Sequence, residues 1–410
     1  MSCQWKKVIV SFLVVAMIAV FCVGCGGDEE GKVVLTIGEV SDFTGPASPA
    51  ANITHKATVD AVRYFNEKGL IPGVRIKLVS WDTQWNPARN LPGYEWVRGR
   101  GADMIYTLIP GFAETMKAFA ARDKIPILVS GTTIPMVEPP GWVFCFTPTY
   151  AQDTKTVLKW LSDEHWDYSQ GIPKIGMAAW QEPTALDMKK ALSEYCQDHP
   201  EQFDYVGTFL APMGVMTWSA QVEKLKGCDY VFGPWGAEFH FMQQFHERGY
   251  TATFVGPNMP AAFQRLLVDC FGWEPPLDGM ISTAVHPWWG EAYTMIELAE
   301  ETLHEYRSGE VEDVIDAGCN YIGTFQTWYA ILEILKAAVE EVGAENFDGQ
   351  AYYNAAVKYR SSGPIWEGYP PDWGFSETRR CWQNHQMIYE WSAEAKDLVR
   401  VSDWLPLVVE

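Results

Sequence analysis

The hydroxyl run Ser130-Gly131-Thr132-Thr133 ends an apolar stretch, Ile125-Pro126-Ile127-Leu128-Val129. Its hydroxyls can donate or accept and can rotate to suit a ligand. A second polar turn, Ser41-Asp42-Phe43-Thr44-Gly45-Pro46, closes the apolar run from Val33 to Val40. Glu182 and Glu238 stand in similar turns beside Trp180 and Trp235, and Asn258 follows Pro257. Such groups hold a ligand by hydrogen bonds, charge and ring contact. Catalysis needs more, an activated nucleophile or a metal. The sequence has no GxSxG, HExxH or GxxxxGK, and no GxGxxG after its first strand. His240 and His246 lie on one predicted helix at a spacing that does not share a face. No catalytic residue, metal site or cofactor is therefore expected.

The elements that must position these groups repeat. Polar loops at 41–45, 80–86, 109–112, 130–133, 180–184, 234–238 and 257–258 each follow a short apolar run. Most of them precede a helical stretch. Strand-loop-helix repeats predict α/β architecture with doubly wound parallel sheets. Ligands of such sheets sit outside the carboxyl ends of the strands, where helix-start amides favour anions. A polar loop residue can instead cap its own helix. Seven such loops in two series favour a shared cleft between two lobes. Beyond Gly279 the chain has a strand over 280–284, an acidic helix over about 292–308 and an apolar-faced helix over 325–342. Short antiparallel strands are expected at 386–391 and 398–401. The division read from this pattern is 33–147 with 279–365 in lobe I, and 148–278 with 366–410 in lobe II.

At 410 residues, with 48% hydrophobic and 14% aromatic content, the chain can bury two cores. A net charge of −21 with no offsetting basic run argues against nucleic acid as a partner. Residues 1–25 join Lys6-Lys7, an apolar run from Val8 to Val20, and Val23-Gly24-Cys25. This resembles a bacterial lipoprotein signal peptide in which Cys25 is acylated, although Cys22 stands where that pattern usually has Leu. The apolar run is short for a membrane span. Residues 26–32 then form a tether, and the expected location is extracytoplasmic, at the periplasm or cell surface, lipid-anchored to a bacterial membrane. The remaining cysteines, 145, 196, 228, 270, 319 and 381, are scattered without zinc-ligand spacing, and their pairing is open.

Several segments resemble the branched-chain amino acid type of periplasmic substrate-binding protein, the type I fold. They are Ile37-Gly38 with Thr44-Gly45-Pro46, Ala61 to Gly69, Lys124 to Thr133, Phe254-Val255-Gly256-Pro257, Asp278-Gly279-Met280 and Tyr321 to Phe325. The resemblance spans roughly 33–400. It implies two lobes joined by three crossovers, a ligand between them, and delivery to an ABC permease with its ATPase, by a monomer. It also implies α-carboxylate contacts from the third and fourth loops, here Ser130, Thr132 and Thr133. Phe112 occupies the place of the usual third-loop serine, and Asn258 that of the acidic partner of the ammonium. The ligand implied is therefore amino-acid-like, an amide or an aromatic acid. Trp85, Trp180 and Trp235, beside Phe43, Phe112 and Tyr150, suggest an aromatic wall or a cage for a cation, with Glu182 and Glu238 supplying charge. A ligand-sensing subunit without a permease is the alternative.

Overall fold

The computed structural model describes residues 31–236 and 238–409. The expected signal peptide, with Cys25, and residues 26–30 of the tether lie outside the described residues. Among the described residues no helix is long and apolar enough to cross a membrane.

Strand β1 (Val33–Ser41) has its last seven residues buried, as a central parallel strand requires. It leads to α1 (Ser48–Lys68), which has a proline in its first turn and is closed by Gly69 at φ 60°. Then follow β2 (Val74–Asp82), α2 (Asn90–Arg98), β3 (Ala102–Thr107), α3 (Pro110–Asp123), β4 (Ile127–Val129) and β5 (Val143–Cys145). The first sheet runs β2-β1-β3-β4-β5. Its core includes Val40, Ile105, Phe112, Met116 and Val129.

The second series is α4 (Tyr150–Trp160), β6 (Lys174–Trp180), α5 (Pro183–Asp198), β7 (Asp204–Ala211), α6 (Ser219–Leu225), β8 (Tyr230–Phe232), α7 (Phe239–Glu247), β9 (Thr253–Gly256) and β10 (Ile281–Ala284). The chain then forms α8 (Thr294–Tyr306), α9 (Asn320–Val342) and α10 (Gly349–Lys358). It ends in β11 (His385–Ser392), β12 (Asp397–Arg400) and β13 (Leu405–Pro406). The second sheet runs β12-β11-β10-β9-β8-β6-β7, with β13 on β11. Strands β7, β6, β8, β9 and β10 pair in parallel; β11 is antiparallel to β10 and β12.

The expected lobe boundaries shift at both ends of the return segment. Strand β10, assigned with 279–365 to lobe I, sits inside the second sheet. All four of its residues are buried, so it needs a paired strand on each edge. Residues 366–382, assigned to lobe II, stay with the first sheet. The amide of Cys145 donates to Arg380 O, and that of Trp382 to Cys145 O, both at 2.8 Å. Trp382 also packs on Phe146, Trp366 and Trp373. The crossovers thus follow Cys145, Ala284 and Trp382.

Helix α9 lies on α1, and its first turn buries Tyr321 and Ile322, so it starts before the expected Phe325. Six tryptophans, 218, 235, 328, 373, 382 and 391, are essentially inaccessible. Much of the aromatic content therefore builds cores. Five of the described cysteines are buried and Cys270 is exposed. Burial pushes the thiols of Cys196, Cys228 and Cys319 up to about 12, where the reactive thiolate is scarce. Alkylation of the native protein at pH 8, read by peptide mass spectrometry, should therefore label Cys270 well before these three. Equal labelling of Cys319 would show that its environment opens to solvent.

Candidate functional site

The carboxyl ends of the two parallel sheets meet across a cavity of about 200 Å³. A smaller space of about 80 Å³ continues it outward past Trp85, Glu182, Met259 and Phe263, which line both. Contacts between the lobes border it. The Cys319 amide donates to Ala261 O at 3.1 Å, and Asn320 Nδ2 to Ala262 O at 2.6 Å. Gly318 permits this approach: its φ is 102°, and a Cβ there would lie 1.9 Å from Ala261 O. Outside, Arg265 reaches Asp313 and Asp316 at 3.5 Å.

The crossovers are tied to one another. Val285 O accepts from Gln326 Nε2 at 3.3 Å and from Gln383 Nε2 at 2.6 Å. The Tyr150 amide donates to Thr132 O at 3.0 Å, which fixes the start of α4 against the fourth loop.

Of the residues expected at the site, Ser130, Tyr150, Glu182 and Asn258 line the main cavity. Trp180 and Glu238 line the outer space. Ser130 Oγ shares a hydrogen bond with Tyr106 OH at 3.2 Å. Trp180 Nε1 donates to Val215 O at 2.9 Å, which orients its ring.

The other five do not line either space. Phe112 is fully buried in the first core, because the first turn of α3 directs it beneath the sheet. Thr132 is also inaccessible, with its hydroxyl 3.3 Å from Met136 Sδ, and Thr133 is buried at the start of a single helical turn, Ile134–Val137. Trp235 folds back against Phe241, with centroids 5.4 Å apart, and donates Nε1 to Val255 O at 2.9 Å. Gly233 leaves room for that ring, since a Cβ would meet it at 2.7 Å. Phe43 sets its edge on His55 at 5.1 Å.

The first loop is largely self-satisfied. Asp42 accepts from the amides of Gly45 and Ala47 at 2.6 and 2.8 Å. Asp82 accepts from the Phe43 amide at 2.9 Å and the Thr44 hydroxyl at 2.6 Å. Partial burial pushes the Asp82 carboxyl up, but these donors outweigh it and hold it below its usual value.

Loop-based reading did not place Asp153, Gln326, Gln383, His286, Asn320 or Phe263 at the cavity, yet all line it. The available signal was polarity out of pattern: Gln326 sits among the apolar residues of α9, and Asp153 on the buried face of α4. Burial raises Asp153 to about 7, partly offset by nearby Thr283 and Gln386. Glu182 is raised to about 7 by the surrounding protein. Glu238 is raised to about 8 by burial, with the Glu182 charge adding to it. Burial lowers His286 to about 4, so it is neutral at physiological pH. Among the described residues, neither Lys nor Arg lines the cavity or its outer extension. The arrangement can enclose a small solute between acceptor groups and aromatic walls.

A family model described as periplasmic binding protein matches residues 34–392. A search of curated proteins by sequence returned no match. Among solved structures, a branched-chain amino acid ABC transporter protein from Thermus thermophilus with bound valine is similar at TM-score 0.78 and 18% identity, covering 92% of this chain and 97% of its own. A fatty acid ABC transporter substrate-binding protein from Thermomonospora curvata aligns at 0.77 and 13% identity, covering 92% and 94%. A solute-binding protein of an R. palustris ABC transporter in complex with benzoate aligns at 0.74 and 14% identity, covering 92% and 98%. At these identities the structural likeness speaks for the fold.

Proposed function

The chain belongs to the periplasmic binding protein family, and on that footing we propose that it is a lipid-anchored solute receptor of an ABC importer. It captures a small organic solute of amino-acid, amide or aromatic-acid type between its lobes and presents it, as a monomer without catalysis of its own, to the permease and ATPase. The observation that carries this reading is the cavity bordered by both lobes, with Cys319 and Asn320 of one bonded to Ala261 and Ala262 of the other. Closure around a solute removes water and strengthens each polar contact inside.

A thermal-shift screen against amino acids, amides, amines and aromatic acids tests it, because a ligand that binds only the folded form raises Tm by mass action. Small-angle scattering should then show compaction with the hit. A protein that no small solute stabilises would lose this assignment.

Anchoring has its own test. The intact protein should fractionate with membranes, and Cys25→Ser should appear in the soluble extracytoplasmic fraction. Membrane retention of the variant would remove lipidation at Cys25 from the proposal.

A further inference from the structure

Two buried amides set the polarity of the cavity at its crossovers. Gln326 and Gln383 are 1% and 3% exposed, and both donate Nε2 to the same acceptor, Val285 O. A carbonyl oxygen has lone pairs and no proton, so these bonds identify which end of each amide is nitrogen. The Oε1 atoms of both meet no donor within the protein, although both residues line the cavity. Asp153, 6% exposed and on the same cavity, has Oδ1 without a donor at bonding geometry, while Thr283 and Gln386 lie near enough to favour its charged form in part. A buried acceptor left unpaired is costly, so two unpaired amide oxygens beside a carboxylate that is only partly engaged point to a donor supplied from outside.

The surroundings argue against an anion. No Lys or Arg among the described residues lines the space, His286 is neutral, and Glu182 adds a further carboxylate. The start of α4, which could attract an anion, already has amides engaged: Ala151 by Asp187 Oδ2 at 3.0 Å and Gln152 by Thr149 Oγ1 at 3.2 Å. Trp85, Met259 and Phe263 provide an apolar flank.

We infer that the ligand is a small organic cation with N–H donors, an amidinium, guanidinium or primary ammonium, whose head meets Asp153 and the Oε1 atoms of Gln326 and Gln383. Its apolar part lies toward Trp85 and Phe263. This rests on the proposed solute-receptor reading and moves its ligand class from an acid or amide to a cation.

Benzamidinium and benzoate have the same ring and a similar planar head with opposite charge, so together they isolate the sign. Calorimetry at pH 8 should give benzamidinium an affinity at least about 100-fold higher, given the cost of like-charge contact. Asp153→Asn should weaken benzamidinium by about 30-fold or more. Should that variant fail to fold, Gln326→Met should weaken it by about 5-fold or more through loss of one acceptor. Benzoate binding as tightly as benzamidinium would overturn the inference, as would unchanged affinity in a folded variant. If leucine or an amide raises Tm while benzamidinium, guanidinium and 1,4-diaminobutane do not, the cation inference fails and the receptor reading stands. If nothing in the full panel binds, both fail.

Discussion

Replacing Arg307 with Met should destabilise the protein by about 3–5 kcal/mol, the cost of leaving a buried charge without its partner. Arg307 follows α8 and grips Asp60 of α1 in bidentate fashion, Nε to Oδ2 at 2.6 Å and Nη2 to Oδ1 at 2.9 Å. Tyr321 of α9 donates to the same Asp60 Oδ2 at 2.8 Å. Three helices thus converge on one carboxylate that is 2% exposed. Methionine preserves much of the packing volume and removes the charge, so urea unfolding would read chiefly the stranded carboxylate. Asp60→Asn combined with Arg307→Met should recover a substantial part of the loss, because the amide carries no charge to strand. A single-variant loss below about 1 kcal/mol would mean that Asp60 gains water or a new donor at little cost.

The second large effect concerns Asp153, whose substitution should raise stability while it weakens binding. Its carboxyl is raised from 3.8 to about 7, chiefly by burial. Between those values the native state keeps a proton that the unfolded state has released, so stability of the unliganded protein falls as pH rises. Above pH 7 the buried carboxylate is a net cost. A shift of this size corresponds to as much as about 4 kcal/mol. Glu182, raised to about 7, and Glu238, raised to about 8, act in the same direction. Asp187, beside the start of α4, is raised to about 6 chiefly by burial, with Lys190 and Glu194 acting oppositely on it. His286, lowered to about 4, opposes these groups below pH 6.5, where the unfolded imidazole gains its proton. The window pH 6.5 to 8 avoids His286, although His55, raised above 6.5 by its bond to Glu39, acts there in the same direction as the carboxylates. There the unliganded Tm should fall with pH, while benzamidinium affinity rises as the carboxylates ionise. Asp153→Asn should make both trends shallower, with Glu182, Glu238 and His55 supplying the remainder, and raise the unliganded Tm at pH 8. A lower Tm for this variant at pH 8 would mean that the carboxylate is stabilised by donors within the fold.

The two effects separate scaffold from site. Asp60 of α1 is fully engaged by Arg307, which follows α8, and by Tyr321 of α9, and serves the packing of the first lobe. Asp153 keeps an oxygen unengaged beside the cavity. Both are buried acidic residues on helices, and their neighbours alone distinguish them.

Strand and helix periodicity, turn chemistry and the order of apolar runs are local properties, and they determined the alternating architecture and its two series of loops. The first-lobe strands, the Gly69 helix stop and the placement of Ser130, Tyr150, Glu182 and Asn258 near the strand ends were legible for that reason. Tertiary structure decided which way each loop side chain turned. Phe112 and Trp235 went inward because their rings had cores to fill, and Thr132 lent its carbonyl to the amide of Tyr150. It also decided the lobe boundaries, since pairing of β10 with β9 and β11, and of Trp382 with Cys145, joins distant segments. The buried acceptors of Asp153, Gln326 and Gln383 come from α4, α9 and the last crossover. Their meeting at one cavity is a long-range contact that no local pattern encodes, and it is the feature that gives the cleft its charge preference.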